Sequence, residues 1–138
     1  MRFWLVVIIF MTAFSACKKE TIVAPTVPLK SFQYTAYDSS GVPLVSGTFN
    51  LYITDSSNVG GDWHFRKVGN SQNTGPQYGD GELAGGFSHG LLAINLNPKY
   101  VDNNVFLSGQ YSATKYSGTW SYTGFPGVLN RGSFQAYK

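Results

Sequence analysis

The sequence predicts an all-β domain, most simply an antiparallel up-and-down barrel of about eight strands. Aromatic residues make up 16% of the chain and charged residues only 12%, with 16 glycines, a composition typical of β-rich domains. From Lys30 onward, short runs of alternating apolar and polar residues are separated by turn residues, which indicates successive strands. A two-sheet β-sandwich fits the same alternation and is the alternative.

Each predicted strand has one apolar and one polar face. In the run 47–54, Phe49, Leu51 and Ile53 share a face because side chains alternate with a period of two. Residues 56–61 and 69–80 are predicted as connections, the second being the longest loop, and His89 as a turn residue. The predicted strands cover residues 31–37, 47–54, 62–68, 81–88, 92–97, 104–111, 115–123 and 131–137.

A glycine two residues before an aromatic residue recurs along these strands. The pairs are Gly47 and Phe49, Gly61 and Trp63, Gly109 and Tyr111, Gly118 and Trp120, and Gly132 and Phe134. Glycine permits the sharp coiling that closure requires and leaves room for a ring from a neighbouring strand. The recurrence therefore favours the barrel.

Two of these strands are similar to those of a known group of barrels. The segments Gly118-Thr119-Trp120 and Gly132-Ser133-Phe134 resemble strands of the calycins, the group that contains the lipocalins and avidins. The resemblance implies an up-and-down barrel, and no ligand-binding residue is carried over from it.

The N-terminus has the layout of a secretory signal peptide. Arg2 is followed by the apolar stretch Phe3–Phe14 and by small residues that lead to Cys17. As a helix, residues 3–16 would extend roughly 21 Å, short of the ~30 Å hydrocarbon core. The segment is therefore predicted to be a helical leader rather than a permanent membrane span.

The end of this leader, Phe14-Ser15-Ala16-Cys17, resembles the bacterial lipobox. There a peptidase cuts before a cysteine that carries a diacylglycerol group. The resemblance implies a signal peptide over 1–16 and a lipidated Cys17. The two prolines and the missing hydrophobic period after Cys17 predict a disordered, flexible tether over 17–29, which leads to the β-barrel domain predicted over 30–138. The resemblance also implies a lipoprotein of the bacterial cell envelope. Because residue 18 is Lys, the resemblance favours the outer membrane, where the protein would face either the periplasm or the cell exterior. Plain secretion and a retained anchor are the alternatives.

Composition excludes several classes of function. Removing Arg2 with the leader changes the formal charge from +3 to +2, and the remaining basic residues are scattered, which argues against nucleic-acid binding. His64 and His89 are the only histidines and lack metal-ligand spacing. No metal, cofactor or enzymatic activity is predicted, because the chain has no G-x-S-x-G motif and its acidic residues fall mostly at turns. A hydrolase remains a minor alternative.

Binding is the function that the residues favour. Trp63, Trp120 and Tyr122 are candidates for a stacking platform or an apolar lining, or else for the core, and Tyr78 is a candidate contact in the long loop. One hypothesis is a lipid-tethered barrel that binds a small apolar or glycan ligand. The alternative is a structural lipoprotein with a filled core, whose loops contact a protein of an envelope complex.

Overall fold

Eight antiparallel strands close into one up-and-down barrel. The computed structural model describes residues 30–69, 72 and 74–138. Each strand pairs with its neighbours in the chain, and the last strand pairs with the first. The barrel prediction is therefore confirmed, and the sandwich alternative is wrong. The strands are β1 (Lys30–Tyr37), β2 (Pro43–Ile53), β3 (Asn58–Lys67), β4 (Gly79–Ser88), β5 (Leu91–Asn95), β6 (Asn104–Tyr111), β7 (Lys115–Gly124) and β8 (Gly127–Tyr137).

The predicted leader, Cys17 and the tether, residues 1–29, lie outside the described residues. Within the barrel, the prediction of a connection over 56–61 is wrong, since β3 already begins at Asn58. Gly60 and Gly61 pair with β2 instead of forming a turn. A Cβ atom on Gly61 would overlap the Asn50 carbonyl oxygen, so glycine serves here for close strand approach.

Aromatic side chains fill the inside of the barrel. The rings of Tyr34 and Phe65 stack with centroids 4.4 Å apart, and those of Tyr116 and Phe134 meet edge to face at 4.7 Å. Eight strands leave an interior just wide enough for side chains or one small ligand. The buried core comprises Phe32, Tyr34, Ala36, Leu44, Val45, Phe49, Leu51, Val59, Trp63, Phe65, Leu83, Leu92, Ile94, Leu96, Val105, Leu107, Tyr116, Trp120, Phe134 and Ala136.

Both core tryptophans lie over a glycine of the adjacent strand, as the glycine and aromatic pattern predicted. A Cβ atom on Gly81 would lie 2.8 Å from Cζ2 of Trp63. One on Gly132 would lie 2.7 Å from Nε1 of Trp120. These glycines therefore make the space that the two largest rings of the core occupy.

The barrel has two distinct ends. At the proximal end the described chain enters at Lys30, and short turns follow β2, β4 and β6. His89 lies in one of these turns with a φ of 51°, which confirms its prediction as a turn residue. At the distal end the described residues of the connection between β3 and β4 and the loop 96–103 lie beside the turns at 38–42 and 125–126. Lys30, the first described residue, thus lies at the end opposite these longer connections.

Candidate functional site

Trp63 and Trp120 lie in the core. Trp120 is 0% exposed, and its Nε1 donates a hydrogen bond of 2.8 Å to the Tyr37 carbonyl oxygen. Nε1 of Trp63 donates to the Leu96 carbonyl oxygen, also at 2.8 Å. Because both indole N–H groups already have protein acceptors, the geometry favours core packing over a stacking platform for these two residues.

Tyr78 and Tyr122 meet at the distal end, although they are far apart in the sequence. Both line a depression of about 270 Å³, the mouth pocket, together with Lys67, Thr74, Gly75, Pro76 and Asn103. The Tyr122 hydroxyl donates to Oδ1 of Asn103 at 2.8 Å. Nζ of Lys67 lies 4.3 Å from the centroid of the Tyr78 ring, within range of a cation–π contact. Two of the four candidate ligand residues therefore share one site.

The long loop partly enters the barrel at this end. Thr74 and Gln77 are buried, and the Tyr34 hydroxyl donates a 2.9 Å hydrogen bond to Oε1 of Gln77. Nε2 of Gln77 donates to the Thr74 carbonyl oxygen at 2.8 Å. Burial raises the pKa of Tyr34 well above its usual value, so the hydroxyl stays protonated and acts as a donor. Sequence reasoning missed Gln77, because a glutamine in a polar loop carries no signal of burial.

We expect Tyr34→Phe to lower the free energy of unfolding by about 1–3 kcal/mol, since it leaves the buried Oε1 of Gln77 without its donor. Urea unfolding of the variant and the wild type measures the difference. The double variant Tyr34→Phe/Gln77→Leu is expected to recover part of the loss, because the unpaired Oε1 of Gln77 is removed. The recovery is incomplete because the Thr74 carbonyl oxygen loses its donor, Nε2 of Gln77. Equal stability of Tyr34→Phe and the wild type would contradict this role for Gln77.

Exposed apolar side chains lie at the distal end, on three connections and at the start of β8. Phe125 is 96% exposed and Tyr100 is 65% exposed. A Cβ atom on Gly124 would lie 2.8 Å from Cδ1 of Leu129 and 3.8 Å from Oδ1 of Asp102, so the turn after β7 lies beside the loop after β5. We call this exposed apolar surface the distal rim, formed by Val42, Tyr100, Val101, Phe125, Val128 and Leu129. Large exposed apolar patches mark interaction sites.

A separate cleft, the side cleft, opens on the barrel wall next to the rim. The pairing of β4 with β5 extends only from Ala84 to Ser88, so the first half of β4 faces the loop 96–103 across a gap. Nζ of Lys99 and Oε1 of Glu82 span this gap at 2.9 Å. The cleft has a volume of about 560 Å³ and is lined by Asp62, Trp63, His64, Asp80, Gly81, Glu82, Asn97, Pro98, Lys99 and Tyr100.

The histidine and acidic side chains near this cleft do not form a metal centre. Nδ1 of His64 lies 3.9 Å from Oδ1 of Asp80, and both side chains are largely exposed. Within residues 30–69, 72 and 74–138, no group of three or more His, Cys, Asp or Glu residues is placed to hold a metal ion. The same part of the chain contains no helix long and apolar enough to cross a membrane.

Comparisons with known proteins find no relative of this chain. No protein-family model matches it, and neither the curated proteins nor the solved structures yield a match. The closed barrel agrees with the calycin resemblance, although eight-stranded barrels occur in several unrelated groups. The function is therefore inferred from the residues of this chain alone.

Proposed function

We propose that this protein is a lipid-anchored protein of the bacterial cell envelope that binds another envelope protein through its distal rim and has no catalytic role. The observation that carries the proposal is the exposure of Phe125, Tyr100 and their apolar neighbours at the end of the barrel opposite Lys30. The leader and the lipobox-like segment that ends at Cys17 support the anchor.

In this arrangement the tether is attached at the end of the barrel opposite the rim. A tether over residues 18–29 spans at most about 40 Å when extended, and it joins the barrel at its proximal end. A strand of ten residues adds roughly 33 Å along its own axis. The distal rim would then be presented to a partner located tens of ångströms from the lipid.

The filled interior supports a role in protein contact. Stacked and edge-to-face rings occupy the barrel from Phe32 at the proximal end to Phe65 at the distal end. Such a core holds the loop ends in fixed positions because packed rings resist displacement. The barrel is then a rigid support for the surface at its end.

Phe125 and Tyr100 are the residues that we expect to anchor the interface. Aromatic residues bury on the order of 150–250 Å² each and dominate binding energy when they enter a pocket of the partner. A stable interface buries about 800 Å² on each side. The aliphatic residues of the rim, above all the fully exposed Val101, would contribute the surrounding area.

Site-specific photo-cross-linking in cells tests the rim. A benzoylphenylalanine residue in place of Phe125 is expected to give a discrete light-dependent adduct with another protein in the membrane fraction. The matched control carries the same residue in place of Tyr52, an exposed tyrosine in the proximal half of β2. We expect roughly tenfold less adduct from this control, and equal yields at the two positions would contradict the proposal.

The anchor is tested independently by metabolic labelling with palmitate. The wild-type chain is expected to take up label and sediment with membranes. Cys17→Ser is expected to lose the label entirely and to enter the soluble fraction, since the chain has no second cysteine. Uptake of label by Cys17→Ser would show that the lipid is attached to a residue other than Cys17. Absence of label from the wild-type chain would contradict the proposed lipid anchor.

The mouth pocket favours a second candidate function, the capture of a small ligand at the distal end. Tyr78 and Tyr122 bring two rings to a depression that also contains Lys67 and Asn103, so that stacking and hydrogen bonding are both offered to a small ligand. A native mass spectrum of the purified protein tests it. Recovery of a stoichiometric small molecule supports the ligand, and a clean mass of the protein alone contradicts it.

A further inference from the structure

We infer that the side cleft is a carbohydrate-binding site for an oligosaccharide of neutral or amino sugars. The cleft lies on the barrel wall, between β4 and the loop 96–103. This inference goes beyond the proposed function. Because Tyr100 borders both surfaces, a sugar in the cleft and a protein at the distal rim would compete for its ring.

The cleft is preformed and has the size of a ligand site. Its volume of about 560 Å³ falls within the ~300–1,000 Å³ of small-molecule sites. The indole of Trp63 closes it from beneath, with Nε1 bonded to the Leu96 carbonyl oxygen and, at 3.3 Å, to that of Glu82. Because β3, β4 and a packed tryptophan form one wall and the floor, this part of the cleft requires little rearrangement on binding.

The loop that carries Tyr100 is held in place by two side-chain hydrogen bonds and an ion pair. Nδ2 of Asn104 donates to the Tyr100 carbonyl oxygen, and Nδ2 of Asn97 donates to that of Asn103, both at 3.1 Å. The pair of Lys99 and Glu82 joins the same loop to β4. Tyr100 is therefore held at the border of the cleft while 65% of it remains exposed.

The cleft combines the two chemical features that sugars require. A pyranose has an apolar C–H face, for which the exposed Tyr100 ring provides a matching surface. Its hydroxyls pair with planar acceptor and donor groups, here the carboxylates of Asp80 and Glu82 and the amide of Asn97. These groups line the cleft from two sides, on β4 and on the facing loop.

The charge of the cleft selects the class of sugar. Asp62, Asp80 and Glu82 provide three carboxylates, against the single ammonium group of Lys99. Like charges repel, so a uronic acid or a phosphorylated sugar is disfavoured. Neutral and amino sugars avoid this repulsion, and an amino group gains an attraction to the carboxylates.

The test titrates the full-length chain, held in a zwitterionic detergent without a sugar headgroup, with four trisaccharides. Maltotriose and triacetylchitotriose are neutral, the glucosamine trimer is cationic, and trigalacturonate is anionic. The readout is the NMR signal of the Trp63 indole N–H, which lies at the floor of the cleft. We expect a saturable shift with at least one neutral or amino trisaccharide and none with trigalacturonate. The absence of a saturable shift with every neutral and amino probe would overturn the inference, as would a response to trigalacturonate alone.

Variants then locate the bound sugar. Tyr100→Ala is expected to weaken binding by about tenfold or more, and Tyr100→Phe to retain the wild-type affinity within about threefold. Tyr52→Ala is the matched control, because Tyr52 is an exposed tyrosine on β2 that lines neither the cleft nor the distal rim. Equal affinities of Tyr100→Ala and Tyr52→Ala would overturn the inference. Failure of the cross-linking at Phe125 has no bearing on this result, so the two proposals fail separately.

Discussion

Replacement of Trp120 by alanine is expected to lower the free energy of unfolding by about 3–5 kcal/mol. Trp120 is fully buried, and its indole covers Gly132 on the neighbouring strand. The substitution leaves a cavity that the barrel wall cannot close, and it also removes the donor to the Tyr37 carbonyl oxygen. Urea unfolding, monitored by far-UV circular dichroism, measures the change.

The variant Trp120→Phe separates the two contributions. It keeps an aromatic ring in the core but loses the hydrogen bond to Tyr37, so we expect a smaller loss than with alanine. Val101→Ala is the surface control, since the Val101 side chain is fully exposed, and its stability should stay within about 0.5 kcal/mol of the wild type. An unchanged unfolding midpoint for Trp120→Ala would contradict the role of Trp120 in the core. Trp120 would then again be a candidate ligand-binding residue.

The second large effect is expected at Gly118, where β6 and β7 approach closely. A Cβ atom on this residue would overlap the Ser108 carbonyl oxygen and lie 2.6 Å from the Cα atom of Gly109. Both atoms that the added Cβ would meet belong to the backbone, so no change of side-chain rotamer can relieve the overlap. Strands β6 and β7 would therefore have to separate. We expect Gly118→Ala to lower the free energy of unfolding by roughly 1–3 kcal/mol or more, as measured in the same urea experiment.

Thr119→Ala is the matched control for this glycine. Thr119 is the next residue of β7, and its side chain is exposed on the outer face, so the expected change is within about 0.5 kcal/mol. Similar stabilities of Gly118→Ala and the wild type would show that β6 and β7 tolerate a wider separation. The proposed reason for glycine at this position would then be wrong.

Strand positions were predictable because they depend on local alternation. Phe49 and Leu51 face the core as expected, and the glycine pattern anticipated that Trp63 and Trp120 would lie over glycines. The start of β3 at Asn58 was not predictable. Gly60 and Gly61 have the composition of a turn, and only the approach of β2 reveals why glycine is needed within the strand.

The candidate sites were only partly predictable. Sequence reasoning selected Tyr78 and Tyr122, but their meeting at the mouth pocket depends on the fold of a loop with no periodicity. Gln77 and the side cleft were missed altogether. Burial of Gln77 depends on the hydroxyl of Tyr34, which is distant in sequence, and the cleft exists because the pairing of β4 and β5 begins at Ala84.

The sequence by itself determined which side chains face inward, since a period of two along each strand is a local property. The leader and Cys17 likewise predict the localisation of the protein from adjacent residues alone, and that localisation remains a prediction. The glycine and aromatic pattern favoured closure, but only the tertiary structure decided between the barrel and the sandwich, through the pairing of β8 with β1, and showed which loops share an end of the barrel. Closure and clefts arise from contacts between residues far apart in the chain, and the local alternation of side chains alone does not determine those contacts.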